Sequence, residues 1–127
     1  MLLVRTHLAP STIHNLGLFA DELIPAGTEV WRFTPGYDLE ITVGEMKKHP
    51  QYIQEFFDHY GYLDFNVNRY LLCFDNARFI NHSNTPNIRT DYKRAKHGVD
   101  VAIRDIAVGE EITTDYRLFE RHSNFEL

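Results

Sequence analysis

The densest set of hydrogen-bonding side chains lies in one run, Asp75-Asn76-Ala77-Arg78-Phe79-Ile80-Asn81-His82-Ser83-Asn84-Thr85-Pro86-Asn87. Asn, Asp and Ser compete for nearby backbone groups, so this run makes a poor helix interior. It is also too polar for a plain buried strand. A packed domain keeps so many polar groups together when they satisfy one another or a ligand. On composition alone it reads either as an Asn-rich turn over the core or as a binding loop. Two further stretches carry usable chemistry. Asn15-Leu16-Gly17-Leu18-Phe19-Ala20 contains two residues able to take positive φ, Asn15 and Gly17. Gly109-Glu110-Glu111-Ile112-Thr113-Thr114-Asp115-Tyr116 ends on a tyrosine hydroxyl. Metal chemistry is not expected, because the seven histidines are scattered without i, i+4 pairing or cysteine partners.

Composition narrows the classes. The chain has 127 residues, near the commonest size of one domain. Nine Phe, seven Tyr and one Trp can fill a core without staples. A formal charge of −5 argues against a protein that lives on nucleic-acid backbone and suits a basic partner such as a Lys- or Arg-rich peptide. The single cysteine, Cys73, allows neither an intrachain disulfide nor a Cys-based zinc site. It reads as a small buried side chain. Cytoplasm or another reducing intracellular compartment is therefore expected, with a host nucleus as the setting if the protein is an effector or viral. No apolar stretch is long enough to span a membrane. Met1 to Arg5 is too short for a secretory signal and reads as the start of a first strand.

The elements that must position these groups are short. Residues 2–9 lean towards β and end at Pro10, and a polar turn follows to Gly17. Thr28 to Phe33 alternates as a half-buried strand should. Thr42-Val43-Gly44-Glu45 has the capping-box pattern of a helix start. Pro50 to Tyr60 sets Tyr52, Ile53, Phe56, Phe57 and Tyr60 on one helical face, which reads as core, and Gly61 as the stop. Tyr70 to Phe74 reads as a buried strand leading into the Asn-rich run. Residues 88–92 and 99–103 read as a hairpin around the turn 93–98, and 112–116 as a last strand. The sum is a mainly β domain of irregular, non-sandwich type with one or two helices.

The three motifs in this order, the glycine turn followed by L-F-A, then R-F-I-N-H-S-x-x-P-N and G-E-E-I-T-x-D-Y, resemble the SET-domain protein lysine methyltransferases. The resemblance runs from about Leu3 to Tyr116. It implies a single SET domain over 1–127, with a core of about 3–116, a helical insert of about 42–62 and a short tail, 117–127. The implied fold is a β-clip-like set of small sheets with a C-terminal pseudoknot. It implies S-adenosylmethionine as cofactor and a lysine-containing protein or peptide, histone or non-histone, as substrate, with neither nucleic acid nor membrane as partner. Tyr116 is implied as the catalytic residue. The implied cofactor contacts are Asn15, Leu16, Gly17, Arg78, Phe79, Asn81, His82, Tyr116 and Phe119. The implied substrate channel is Tyr70, Ile80, Thr114 and Tyr116, and no metal is implied. Tyr60, Tyr62 and Tyr70 stand as channel aromatics or core. Arg78 is expected to pair with Asp75, Glu110 or Glu111.

The chain departs from the family at several points. Asn15 replaces the first glycine of the G-x-G turn, and Asn tolerates the left-handed region. Ser83-Asn84 replaces the S-C of many members, and no C-x-C follows Tyr116, so no zinc-binding post-SET module is expected. Phe119 and Phe125 are left as lids, or a second chain completes the site as a homodimer. Thr114 stands where many relatives carry Phe or Tyr, which leaves product multiplicity open. The alternative to an enzyme is a catalytically weak SET-fold module that binds peptide or cofactor. The minimal form resembles free-standing viral and bacterial SET proteins.

Overall fold

The structure, a computed structural model, describes residues 1–120. Among the described residues, ten short strands form four small sheets. β1 (Thr6–Pro10) and β2 (Leu16–Ala20) make an antiparallel hairpin in which His7 faces Phe19 and Ala9 faces Gly17. β3 (Glu29–Arg32), β9 (Val99–Ala102) and β8 (Ile88–Asp91) form a three-stranded sheet in that order. A second three-stranded sheet is ordered β4 (Leu39–Thr42), β6 (Arg69–Leu72), β5 (Tyr62–Asp64). The last pair is parallel: β7 (Asn81–His82) beside β10 (Thr113–Thr114), with Thr113 opposite Asn81 and Thr114 opposite His82.

The hydrophobic core joins the hairpin to the β3-β9-β8 sheet. Leu18, Val30, Ile88, Ile106 and Ile112 are fully buried there, each worth roughly 1.5–3 kcal/mol of transfer free energy. Strict alternation in residues 28–33 fails at one place. The register of β3 against β9 shifts between Glu29 and Trp31, and Val30 and Trp31 are both buried. A bulge adds a residue on one strand and re-aims the side chains that follow.

Both expected helices form. α1 (Val43–Met46) is capped by Thr42, whose hydroxyl accepts from the Glu45 amide at 3.1 Å. α2 (Gln51–Tyr60) follows Pro50. Phe57 joins Met46 and Leu72 in a second apolar cluster, with Ile41, Ile53, Tyr60 and Tyr70 packed against it. The expected aromatic stripe is not all core: Tyr52 is 70% and Phe56 41% exposed. Gly61 ends α2 in extended backbone rather than in the left-handed region. A side chain there would meet the Leu71 carbonyl oxygen at 2.5 Å. Among the described residues, no helix is long and apolar enough to cross a membrane.

Candidate active site

The last strand is only two residues long, and it is held by a clasp. Asn87, 1% exposed, accepts from the Thr113 amide through Oδ1 at 2.9 Å and donates through Nδ2 to the Glu111 carbonyl at 2.8 Å. On the other side the Ile112 amide donates to the Leu18 carbonyl at 2.8 Å. Segment 111–114 therefore runs between β2 and the Asn-rich run, bonded to both. Asp75 caps a short 3₁₀ turn, Asn76–Phe79, and its second carboxylate oxygen accepts from the Leu2 amide at 2.7 Å.

Asn81 stitches the first motif to the third. Its amide nitrogen lies 3.0 Å from the Leu16 carbonyl, 2.9 Å from Glu111 Oε2, and 3.3 Å from both the His14 carbonyl and Ser11 Oγ. Ser11 also donates to Glu111 Oε1 at 2.7 Å. Gly17 is required by this close approach, since a Cβ would sit 2.4 Å from Glu111 Oε2. It sits in extended strand. The left-handed residue of the turn is Asn15, at φ 35°, so the departure from a double glycine is accommodated where Asn costs least.

His82 is oriented by Tyr116. The Tyr116 amide donates to His82 Nδ1 at 3.1 Å, so Nδ1 carries no proton and Nε2–H donates to Asn84 Oδ1 at 3.2 Å. The Tyr116 hydroxyl donates to the Ile80 carbonyl in a short bond. Its ring lies against His82 at 5.5 Å and Phe119 at 5.8 Å between centroids. Asp115 starts the turn Tyr116–Leu118, and the Arg117 guanidinium beside it holds its carboxyl below the usual range. Burial, with the Glu120 charge adding, pushes Tyr116 up to about 12. Its hydroxyl is therefore protonated at neutral pH.

A cavity of about 320 Å³ opens beside Tyr116. Of the residues implied from sequence, Arg78, Ile80, Thr114, Tyr116 and Phe119 lie in its wall, together with Tyr60 and Tyr62. Asn15, Leu16, Gly17, Asn81 and His82 form a separate hydrogen-bonded group that meets the cavity residues at Tyr116 and Ile80. Phe79 packs edge-on to Tyr60 at 6.2 Å. Tyr70 is not brought to the cavity and packs on the second apolar cluster. Arg78 pairs with none of the three expected acids. Its guanidinium stands over the Tyr60 and Phe79 rings at 5.4 Å each, a cation–π arrangement. The acids are engaged elsewhere: Asp75 caps backbone, Glu110 pairs with Arg104 at 2.6 Å, and Glu111 binds Ser11 and Asn81. Phe125 lies outside the described residues.

The sequence did not point to Trp31, Asp58, Thr90, Asp100 or Glu120, which also line the cavity. Asp100 had a signal, an acid between two valines of a strand. It accepts from the Thr90 hydroxyl at 2.7 Å, and burial pushes its carboxyl up to about 6. Two wall residues carry buried polar atoms with no hydrogen-bond partner, Trp31 Nε1 and Thr114 Oγ1. Such orphans are rare and costly, and a ligand is one way to satisfy them. Cys73 also lines the cavity, and burial first, then Asp38, pushes its thiol well above the usual range. It stays a thiol, not a nucleophile. Among the described residues no three His, Cys, Asp or Glu side chains are grouped to hold a metal ion.

The SET domain family model matches residues 15–117. An H3 lysine-4 specific histone-lysine N-methyltransferase of Schizosaccharomyces pombe is 38% identical over 126 residues, covering 91% of this chain and 13% of its own length. The enzyme of the same description from Aspergillus fumigatus is 34% identical over 119 residues, covering 89% of this chain and 9% of its own length. The chain thus spans about a tenth of the length of these relatives. Among solved structures, a humanized mutant of the Chaetomium thermophilum Polycomb Repressive Complex 2 bound to an inhibitor matches with a TM-score of 0.67 at 23% identity, over 93% of this chain and 16% of that one. A Plasmodium falciparum crystal structure matches with a TM-score of 0.62 at 20% identity, over 91% and 95%. At these identities the two structures speak to the fold alone.

Proposed function

The chain belongs to the SET-domain family, and from that premise we propose that it is an S-adenosylmethionine-dependent protein-lysine N-methyltransferase with Tyr116 as its catalytic residue. The observation that carries this is the Tyr116 hydroxyl, held on the Ile80 carbonyl in the wall of a cavity beside the unpartnered Thr114 hydroxyl. The spot is lined by oxygens, and its tyrosine and cysteine both stay protonated. Such a set fits an electron-poor methyl group, and neither the Cys73 thiol nor the Tyr116 hydroxyl is ionised to compete for it. Bound S-adenosylmethionine supplies a methyl group activated by a sulfonium. Leu16, Gly17, Asn81 and His82, with Arg78, Phe79 and Phe119, are the residues that would hold it, and Asn15 shapes the turn.

The chain's own residues then do three things. Tyr116 Oη and the Ile80 carbonyl both accept hydrogen bonds from a lysine nitrogen and so aim its lone pair. Both oxygens favour the positive charge that builds on the nitrogen and on the methyl in flight. The aromatic wall of Tyr60, Tyr62, Tyr116 and Phe119 excludes water and disfavours the ammonium form, whose reference pKa is about 10.4. Relatives described as histone-lysine N-methyltransferases make a histone tail the first substrate to try, with basic non-histone proteins beside it.

The test is transfer of labelled methyl to mixed core histones and other basic proteins. Tyr116→Phe removes the hydroxyl but keeps the ring, and its rate should fall about 10²-fold or more, as for loss of one preorganised polar group. Wild-type transfer no greater than the variant's across the panel overturns the reading. Light scattering in the same preparation shows whether a second chain completes the site.

A further inference from the structure

The cavity wall carries more acid than methyl transfer by Tyr116 uses. Asp58 on α2, Asp100 on β9 and Glu120 after the final turn all line it. Deepening the methyltransferase reading on which it rests, we propose that Glu120 receives the incoming lysine ammonium as an ion pair and then takes one of its protons. The neutral amine is left facing Tyr116.

Glu120 is fixed in place. Its amide donates to the Tyr116 carbonyl at 2.9 Å, it bridges to Asp64, and the Phe65 amide holds the preceding Phe119 carbonyl at 2.9 Å. Asp64 is itself anchored by the Tyr92 hydroxyl at 2.7 Å and by the amides of Asn66 and Val67. Among the described residues, the Glu120 and Asp58 carboxyls have no hydrogen bond or ion pair, although both face the cavity. The other charged or titratable groups of the wall are His59, Tyr60, Tyr62, Cys73, Arg78, Asp100 and Tyr116. Arg78, the wall's guanidinium, lies over two aromatic rings. The unpartnered Trp31 Nε1 and Thr114 Oγ1, each in a residue more than nine-tenths buried, point independently to an occupant of the same cavity.

Burial, with Asp58 adding repulsion, pushes Glu120 up to about 7, where it exchanges a proton near neutrality while Tyr116 does not. An entering ammonium relieves the repulsion between the two carboxylates. In the water-poor cavity the charged pair then collapses towards the neutral one. One N–H bond of the ammonium breaks, its electron pair stays on nitrogen, and the proton forms an O–H bond on Glu120. The lone pair is then free to attack the methyl group, and the partly exposed glutamic acid returns its proton to water.

The test uses the full chain and a cation that needs no methyl transfer, Nα-acetyl-lysine methylamide, with the norleucine analogue as uncharged control. The single tryptophan, Trp31, lies in the cavity wall and reports occupancy by fluorescence. Wild type should bind the lysine probe roughly tenfold more tightly at pH 8 than at pH 5.5, about 1.4 kcal/mol. Glu120→Gln should show the weak affinity at both pH values, Glu120→Asp should keep the pH dependence, and the norleucine probe should ignore both. In the transfer assay, log kcat should rise through pH 7 in wild type and lose that limb in Glu120→Gln. Equal affinity of wild type and Glu120→Gln at pH 8, no binding by wild type, or a limb that survives in Glu120→Gln overturns the proposal. Binding as expected with no transfer to any protein would instead count against the methyltransferase reading alone.

Discussion

Gly17 shows how little freedom the binding turn has. The carboxylate that a Cβ would strike, Glu111 Oε2 at 2.4 Å, cannot swing away, because Ser11 and Asn81 both hold that side chain. Gly17→Ala should therefore cost about 1–3 kcal/mol of stability, as overpacking does. It should also slow methyl transfer, since the shift passes through Asn81 to its neighbour His82 and so to Tyr116. Urea unfolding reads the first effect and the transfer assay the second. A variant with both unchanged would show that the Glu111 contact is slack. Asn15 is the opposite case. At φ 35° with an exposed side chain, Asn15→Gly should be neutral to within about 0.5 kcal/mol. Asn15→Ala should cost about 1 kcal/mol, because Ala keeps the Cβ and loses the short polar side chain through which Asn tolerates the left-handed region.

The element on which the fold turns is the two-residue parallel pair of β7 and β10, too short to hold by its own ladder. Asn87 supplies the missing bonds from a side chain, so Asn87→Ala leaves the buried Thr113 amide and Glu111 carbonyl each without that partner. The expected loss is about 2–4 kcal/mol by chemical denaturation, from two such groups. Asn87→Asp keeps the acceptor for the Thr113 amide but turns a buried carboxylate oxygen towards the Glu111 carbonyl and the Glu110 carboxylate, so it should cost at least as much as Ala. The run that holds this clasp was legible through the family resemblance of its motif, but the bonds of Asn87 itself were not, because composition alone left a turn and a binding loop both open. Helix α1 was legible from the reciprocal bonding pattern of Thr42 and Glu45, and α2 from its spacing. The short strands β4 and β5 were not, because three or four residues give no period to read, and β4 pairs with β6 across both helices. Spacing also could not say that Tyr52 and Phe56 stay exposed, since it fixes a helix face and not the width of what covers it. The acid wall of the cavity was invisible for a similar reason. Asp58, Asp100 and Glu120 come from three distant elements, and only the folded chain brings them together.

Across the whole molecule the carboxyls divide into two sets with opposite effects on stability. Glu29, Asp91, Glu110 and Asp115 lie below their ordinary values, chiefly through hydrogen bonds to Arg94, to the Lys93 amide, to Arg104 and to Arg117 respectively. Glu40 is lowered as well, by His97 and Arg69 against the opposing effect of burial. A lowered carboxyl stabilises the fold above its unfolded value near 4 and loses that contribution as pH falls through the folded one. Asp64, Asp100 and Glu120 are raised, mainly by burial, Asp100 to about 6 and Glu120 to about 7. In these the folded state holds its proton more tightly than the unfolded chain, so stability falls as pH rises from about 4.5 through 7. The two slopes meet near the unfolded carboxyl value of about 4, and stability should be greatest there. Asp100 accounts for roughly 2–3 kcal/mol of the decline towards pH 8, and partly solvated Glu120 for about 1 kcal/mol once screening is allowed for. Glu120→Gln removes one ionisation without removing bulk. It should therefore raise the thermal midpoint at pH 8 by a few degrees and leave it unchanged at pH 4.5. Calorimetry at the two pH values measures both. An equal shift at both would mean that the Glu120 carboxyl is well solvated, and the cavity would then lose the group that gives it a pH response near neutrality.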